Sequence, residues 1–248
     1  DLVISHTTRF AKSIITKPQT KHICYCHTPP RFLWHLSGEG DYGALEFLMT
    51  KLRLYDQVSA KRVDFFIAGS QNAQKRIKKI YKLDSKVVYP FIDLQRFKGI
   101  DTFDGGYFVV IARPNKYKRV DLVKLACEEL GVDLKIIFGQ FDDKIVVRIL
   151  AGCKALIIPG IEDFGLVSLE AQALGKPVIA FAAGGNLETV IEGKTGLFFD
   201  SQDTDSLKQA LEKLNKIKIS STACIDQARK FSKEKFKSDF VQAVASLL

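Results

Sequence analysis

The hydrophobic positions of this chain fall into short apolar runs separated by segments of helical spacing. From residue 107 the alternation is regular. Residues 107–112 (YFVVIA), 134–139 (LKIIFG), 155–160 (ALIIPG) and 177–181 (PVIAF) are continuous apolar runs. That is the form taken by strands buried on both faces of a parallel sheet. Between them, residues 120–130, 144–151 and 165–174 repeat apolar side chains at helical intervals. Such alternation predicts right-handed crossovers and a parallel sheet covered on both faces. Helical segments over 204–214 and 223–248 close the chain.

The first hundred residues are less even. Residues 1–7 (DLVISHT) predict a short strand, and 21–30 (KHICYCHTPP) another that ends in a turn with two prolines. Residues 45–63 have helical spacing, 63–70 (VDFFIAGS) predict a buried parallel strand, and 86–90 (KVVYP) a further strand. Residues 73–83 form a basic amphipathic helix with two readings, an ordinary solvated face or an electrostatic contact with acidic lipid. Periodicity fails over 93–106, which ends in two glycines. The expected organisation is therefore a first α/β domain at 1–103, a second at 104–222, and a C-terminal helix over 223–248.

Composition narrows the class. With 46% hydrophobic and 26% charged residues, the 248-residue chain has globular usage and length for two domains. No apolar run reaches the roughly 18 residues that span a bilayer, and no signal-peptide pattern opens the sequence. The five cysteines contain no CxxC pair, so they are expected as reduced, buried thiols of a cytoplasmic protein. The net charge of +9 is one-sided: residues 1–103 hold 17 Lys/Arg against 9 Asp/Glu, and the remainder 20 against 19. An excess of that kind suits an anionic partner.

Ligands of doubly wound sheets bind beyond the carboxyl ends of the strands. Arg113 follows the 107–112 run, with Lys118 five residues on. The loop GIEDFG follows 155–159 and runs into a helix, and AAGGN follows 177–181 at another helix start. Two cations and two glycine-bearing helix starts predict a diphosphate site. Glu162 and Glu170 could accept the paired hydroxyls of a sugar. Spacing alone does not separate that from two ordinary carboxylates, one in a surface loop and one with a salt-bridge partner. The chain has no GxxxxGK[ST], no GxGxxG after a strand and no GxSxG, and His6, His22, His27 and His35 lack ligand spacing for zinc. No groove-reading pattern for nucleic acid accompanies the basic half.

Taken in order, several blocks resemble one family. EDFGLVSLEAQALGKPVIAFAAGGNLETVIEGKTGLFF (162–199) looks like the signature of the family 4 retaining glycosyltransferases, with Glu162 and Glu170 as its paired glutamates. ARPNKYKRVDL (112–122) resembles their donor-phosphate motif. AGSQNAQKRIKKIY and VVYPFIDLQRF resemble their last N-domain strand and helix and the interdomain linker. ICYCHTPPRFLW (23–34) is similar to the WbaZ-like mannosyltransferase group.

The resemblance implies a GT-B fold: two Rossmann-like domains with parallel sheets, 1–103 on the acceptor side and incomplete, 104–222 binding the donor nucleotide, and residues 223–248 returning to the first domain. It implies transfer of a hexose, mannose from GDP-mannose, onto a lipid-linked or polysaccharide acceptor, with retention and without a metal or other cofactor. Glu170 would bind the ribose and Arg113 and Lys118 the diphosphate. Backbone N–H groups near Phe164, Gly165 and Leu166 would meet donor sugar or phosphate. Glu162 would position the transferred sugar, and His27 would approach the reacting sugar from the other domain, its alternative being a histidine satisfied by strand-end carbonyls. Members of the family are longer, so roughly the first hundred residues are expected to be missing. Alternative expectations are a UDP-sugar donor, or a truncated module that binds nucleotide-sugar without transfer. The expected setting is the cytoplasm, with peripheral contact at the inner face of the membrane.

Overall fold

The computed structural model describes residues 1–36, 42–113, 115–139 and 141–247. The chain divides into two compact units, one of Asp1–Pro90 with Phe236–Leu248 and one of Phe91–Lys235. Each is built on its own parallel sheet, as the apolar runs predict.

In the first unit, β1 (Leu2–Thr7), β2 (Lys21–Cys26), β3 (Phe65–Ala68) and β4 (Ser85–Val87) pair in that order, all parallel. The helices α1 (Glu46–Ala60) and α2 (Gln71–Tyr81) make the connections on either side of β3. Alternate residues of β2 and β3 serve opposite faces. Cys24, Cys26, Phe66 and Ala68 pack with Ala73, Ile77 and Tyr81 of α2. Ile23, Tyr25 and Ile67 pack with Phe236, Phe240 and Val244 near the C-terminus. Both faces are covered, so these strands read as unbroken apolar runs. Beneath them lies a fully buried ion pair, Lys12–Asp56. Asp56 also accepts from Trp34 Nε1 at 2.9 Å and from the Tyr81 hydroxyl at 2.8 Å, the satisfaction that a buried charge requires.

The second unit holds β5 (Tyr107–Ala112), β6 (Asp133–Phe138), β7 (Cys153–Ile158), β8 (Val178–Phe181) and β9 (Gly196–Phe199), in the order β6-β5-β7-β8-β9, all parallel. Its helices are α3 (Val120–Leu130), α4 (Asp143–Gly152), α5 (Leu166–Ala173), the short α6 (Asn186–Thr189), α7 (Thr204–Lys216) and α8 (Ser221–Arg229). One face buries Phe108, Val110, Ile157, Ile179 and Phe199 against Val123 and Cys127 of α3 and Leu207 and Leu211 of α7. From β5 the chain goes outward to β6 and then returns to β7 on the other side. The carboxyl ends of β5 and β7 therefore flank a topological switch point, where such sheets open a crevice.

Three expectations need correction. The boundary falls at Pro90/Phe91, not after residue 103. The segment 91–103 is tied into the second unit, with the Ile92 N–H donating to the Phe231 carbonyl (3.0 Å), the Phe103 N–H to the Ala151 carbonyl (3.1 Å), and Phe97 buried. The single helix expected over 223–248 is two, α8 and α9 (Lys233–Ala245), parted around buried Phe231, and only Phe236 onward belongs to the first unit. Leu248 lies outside the described residues. Finally, β9 has no counterpart among the predicted strands. It is four residues long and begins with Gly196, where a Cβ would come within 2.0 Å of the Val178 carbonyl oxygen.

Candidate functional site

Two glycine loops and one basic turn meet at this switch point. The basic turn follows β5. Arg113 is exposed directly after the strand, and residues Lys116–Lys118 form a single 3₁₀ turn. Pro114 lies outside the described residues. The turn lies close to the end of β7, because a Cβ on Gly160 would sit 3.0 Å from the Tyr117 carbonyl oxygen and 3.3 Å from Lys118 Cα. Glycine at 160 is what admits this approach.

The second loop leads from β7 into α5. Phe164 is buried and stacks edge-on against Phe231, ring centroids 5.4 Å apart. That anchor fixes the loop from below. Gly165 caps α5 with φ +100°, a backbone conformation that L side chains rarely adopt. Leu166 opens the helix, so Gly165 and Leu166 bring to the site the N–H groups that a first turn leaves without intrahelical acceptors.

The third loop leads from β8 into α6 and is locked to the second. Gly185 N–H donates to the Glu162 carbonyl at 2.8 Å, and Glu162 and Gly184 form a parallel bridge. A Cβ on Gly185 would lie 2.3 Å from Phe164 Cα. Buried Asn186 then donates through Nδ2 to the Gly160 carbonyl (3.0 Å) and the Phe181 carbonyl (2.9 Å), joining the ends of β7 and β8.

Within this frame the expected residues separate clearly. Lys118 Nζ and Glu162 Oε1 meet at 2.5 Å, with side chains 15% and 23% exposed. Glu170, on the inner part of α5, accepts from Arg96 Nη1 at 2.9 Å. Both glutamates thus have ion-pair partners, one of them on the very cation expected at the phosphate. Arg113 contributes an exposed side chain at the end of β5. His27 belongs to the first unit, just past β2. Its backbone N–H extends the ladder to the Thr7 carbonyl (3.0 Å), and its Nε2 is 2.6 Å from Nε2 of His6. Gly69 leaves room for that ring, since a Cβ there would be 3.1 Å from His27 Nδ1. The described residues include no cluster of three or more His, Cys, Asp or Glu able to hold a metal ion, and no helix long and apolar enough to cross a membrane.

Sequence reasoning missed Arg96. It sits on a 3₁₀ turn (Leu94–Phe97), donates to both oxygens of Asp143, and its guanidinium is held even more firmly charged than usual by those carboxylates. The aperiodic stretch 93–106 offers no pattern that singles it out. The loops that hold Gly160 and Gly185 were read as glycine-bearing helix starts, but the close approach that each glycine admits was not, because it comes from loops distant in sequence.

A family model described as glycosyl transferases group 1 matches residues 106–231, just over half of the chain. D-inositol 3-phosphate glycosyltransferase of Corynebacterium aurimucosum is 31% identical over 191 residues, which are 68% of this chain and 45% of that protein. An alpha-1,3/1,6-mannosyltransferase of Dictyostelium discoideum is 36% identical over 96 residues, 38% of this chain and 22% of that protein. The chain thus spans about half the length of the curated relatives it matches. Among solved structures, sucrose-phosphate synthase of Thermosynechococcus elongatus superposes with a TM-score of 0.80 at 16% identity, over 99% of this chain and 73% of that one. HepE of Anabaena, in complex with UDP and glucose, gives 0.68 at 18% identity, over 92% and 72%. These likenesses show the fold, a GT-B fold built on parallel sheets.

Proposed function

Because the chain belongs to the group 1 glycosyltransferases, we propose that it carries the donor site of a retaining hexosyltransferase, moving mannose from GDP-mannose onto a lipid-linked or polysaccharide acceptor. The observation that carries this reading is the meeting of Lys118 and Glu162 at the ends of β5 and β7, between two mutually locked glycine loops. A cation at a switch point beside an open helix start is a phosphate site by charge and by donor geometry.

In this reading Lys118 and Arg113 hold the diphosphate and stabilise the charge that grows on it as the glycosidic bond breaks. The N–H groups around Phe164, Gly165 and Leu166 meet the donor phosphate or sugar hydroxyls. Glu162, released by Lys118, accepts from hydroxyls of the transferred hexose, and Glu170 accepts from the ribose. His27 serves the reacting sugar. The departing phosphate takes the acceptor's proton from the same face, which gives retention. The two cations supply the countercharge, so transfer should persist in EDTA.

Thermal unfolding with GDP-mannose, UDP-glucose and UDP-N-acetylglucosamine tests the donor site. GDP-mannose should raise the melting temperature, and Glu170→Ala or Lys118→Ala should abolish the rise; no shift with any of the three overturns the reading. A UDP-sugar donor is the second reading, favoured by the likeness to HepE, solved with UDP and glucose. The same experiment separates the two by which donor acts. Incorporation of radiolabelled sugar into a lipid-linked or oligosaccharide acceptor distinguishes a transferase from a module that only binds. Peripheral membrane contact would use the lysines of α2, where Lys75, Lys78 and Lys79 are exposed. Equal sedimentation with anionic and neutral vesicles would end that part of the proposal.

A further inference from the structure

Arg96 touches the carboxylate that the donor reading gives to the ribose, yet nothing above assigns it a role in binding. Its guanidinium is used in a directional way. Nε and Nη2 form a two-pronged bond to Oδ2 and Oδ1 of Asp143, the first residue of α4. Nη1, the arm left over, donates to Glu170 Oε1 at 2.9 Å. The side chain also lies over the Phe97 ring, 5.2 Å from its centroid. A fork on one carboxylate fixes the guanidinium plane, which a lysine ammonium cannot do. Asp143 therefore orients Arg96, and Arg96 orients Glu170.

The consequence falls on the other oxygen. Glu170 Oε2 has no hydrogen-bond partner among the described residues, and its side chain is 19% exposed. A carboxylate oxygen has two acceptor positions. With one position of Oε1 taken, the group still accepts both O–H donors of a cis-diol, from a rotamer already fixed. Ordering a side chain before the ligand arrives reduces the cost of binding.

We infer that Arg96 is a positioning residue for nucleoside recognition: through Asp143–Arg96–Glu170 it presents Glu170 to the 2′- and 3′-hydroxyls of the donor ribose. This rests on the donor reading above and adds the residue that makes it selective for ribonucleotides.

The test is the affinity ratio between a ribonucleoside diphosphate and its 2′-deoxy form, measured by titration calorimetry with GDP/dGDP and UDP/dUDP. Loss of a hydrogen bond to a charged group is worth roughly 10- to 100-fold, so the wild-type chain should prefer the ribo form by at least about 10-fold. Glu170→Gln and Arg96→Gln should each bring the ratio to within about 2-fold. Arg96→Lys should fall close to Arg96→Gln, because an ammonium cannot grip both carboxylates. Asp143→Asn, the milder change should Arg96→Gln fold poorly, should lower the ratio several-fold.

A merely structural tie would behave differently. It would lower the melting temperature of the Arg96 variants and leave the ratio at its wild-type value, which overturns the inference. So does a wild-type chain that binds diphosphates without preferring ribose, a result that spares the donor reading itself. Binding of none of the four nucleotides removes both.

Discussion

Gly185→Ala is the sharpest structural test of the two locked loops. The residue has φ −66° and ψ −15°, an ordinary helical conformation, so alanine brings no backbone strain. All of the cost is packing. The new Cβ would stand 2.3 Å from Phe164 Cα, 2.5 Å from its nitrogen and 2.6 Å from its carbonyl carbon, where ordinary contact begins at 3.4 Å. Backbone atoms cannot swing aside as a side-chain tip can, so the loops must part by about 1 Å. That motion breaks the 2.8 Å bond from Gly185 N–H to the Glu162 carbonyl, worth about 1 kcal/mol net. Overpacking of a tight contact adds about 1–3 kcal/mol, so the expected loss is about 2–4 kcal/mol. Urea unfolding followed by far-ultraviolet circular dichroism measures it, and titration with the nucleotide-sugar should show weakened binding because Glu162, which the proposed reading gives to the hexose, moves with the loop. Gly193→Ala is the control: φ is +70° but nothing lies within 4 Å, so it should cost about 1 kcal/mol and leave binding alone. If Gly185→Ala keeps wild-type stability and affinity, the locking of the loops is not what shapes the site.

Other expectations follow from burial. All five cysteines are free and buried, and burial pushes the thiols of Cys127 to about 11 and of Cys153 and Cys224 to about 12. Ellman's reagent at pH 8 should therefore label the folded chain slowly and all five thiols at once on denaturation. His22 is buried, 2.8 Å from the Ser5 hydroxyl, and desolvation holds its pKa below the ordinary 6.5. The unfolded chain then binds the extra proton first, so stability falls as pH drops from 6.5 toward the folded value. His22→Gln should flatten the decline of the urea midpoint between pH 7 and pH 5. Lys12→Met would strand the buried Asp56 charge and should cost about 3–5 kcal/mol in a denaturation series.

What the sequence revealed follows from how local each determinant is. Strands β5 to β8 were legible because burial on both faces demands unbroken apolar runs. The glycine loops and Lys118 were legible because each follows a strand directly. Strand β9 was not, since its pairing with β8 tolerates a glycine that alone reads as a turn. Nor was the boundary at Pro90, which depends on Ile92 meeting Phe231 across 139 positions of sequence. Glu170 shows the same division. Its place on α5 could be read from spacing, whereas its partner Arg96 lies 74 residues away in an aperiodic turn.

The Lys118–Glu162 pair bears most directly on how the site would take up a donor. With side chains 15% and 23% exposed, the pair is mostly shielded from water. In the proposed reading, a donor diphosphate takes the ammonium from Glu162, and the released carboxylate turns to the hexose hydroxyls. On that reading the paired residues serve different parts of the donor, and their substitutions should move nucleotide affinity in opposite directions. Lys118→Ala removes a charge-assisted contact worth about 1.5–3 kcal/mol, so GDP or UDP should bind roughly 10- to 100-fold more weakly. Glu162→Gln frees the ammonium and removes a negative charge near the phosphate, so the same diphosphate, lacking a sugar, should bind as well or more tightly. Its nucleotide-sugar should lose that gain, because the acceptor for the hexose hydroxyls is weakened. Calorimetry with the diphosphate and the diphosphate-sugar in parallel reads all three effects. Equal weakening of the diphosphate by both substitutions would mean that Glu162 only supports the loop, and that the division of labour assigned to the pair is wrong.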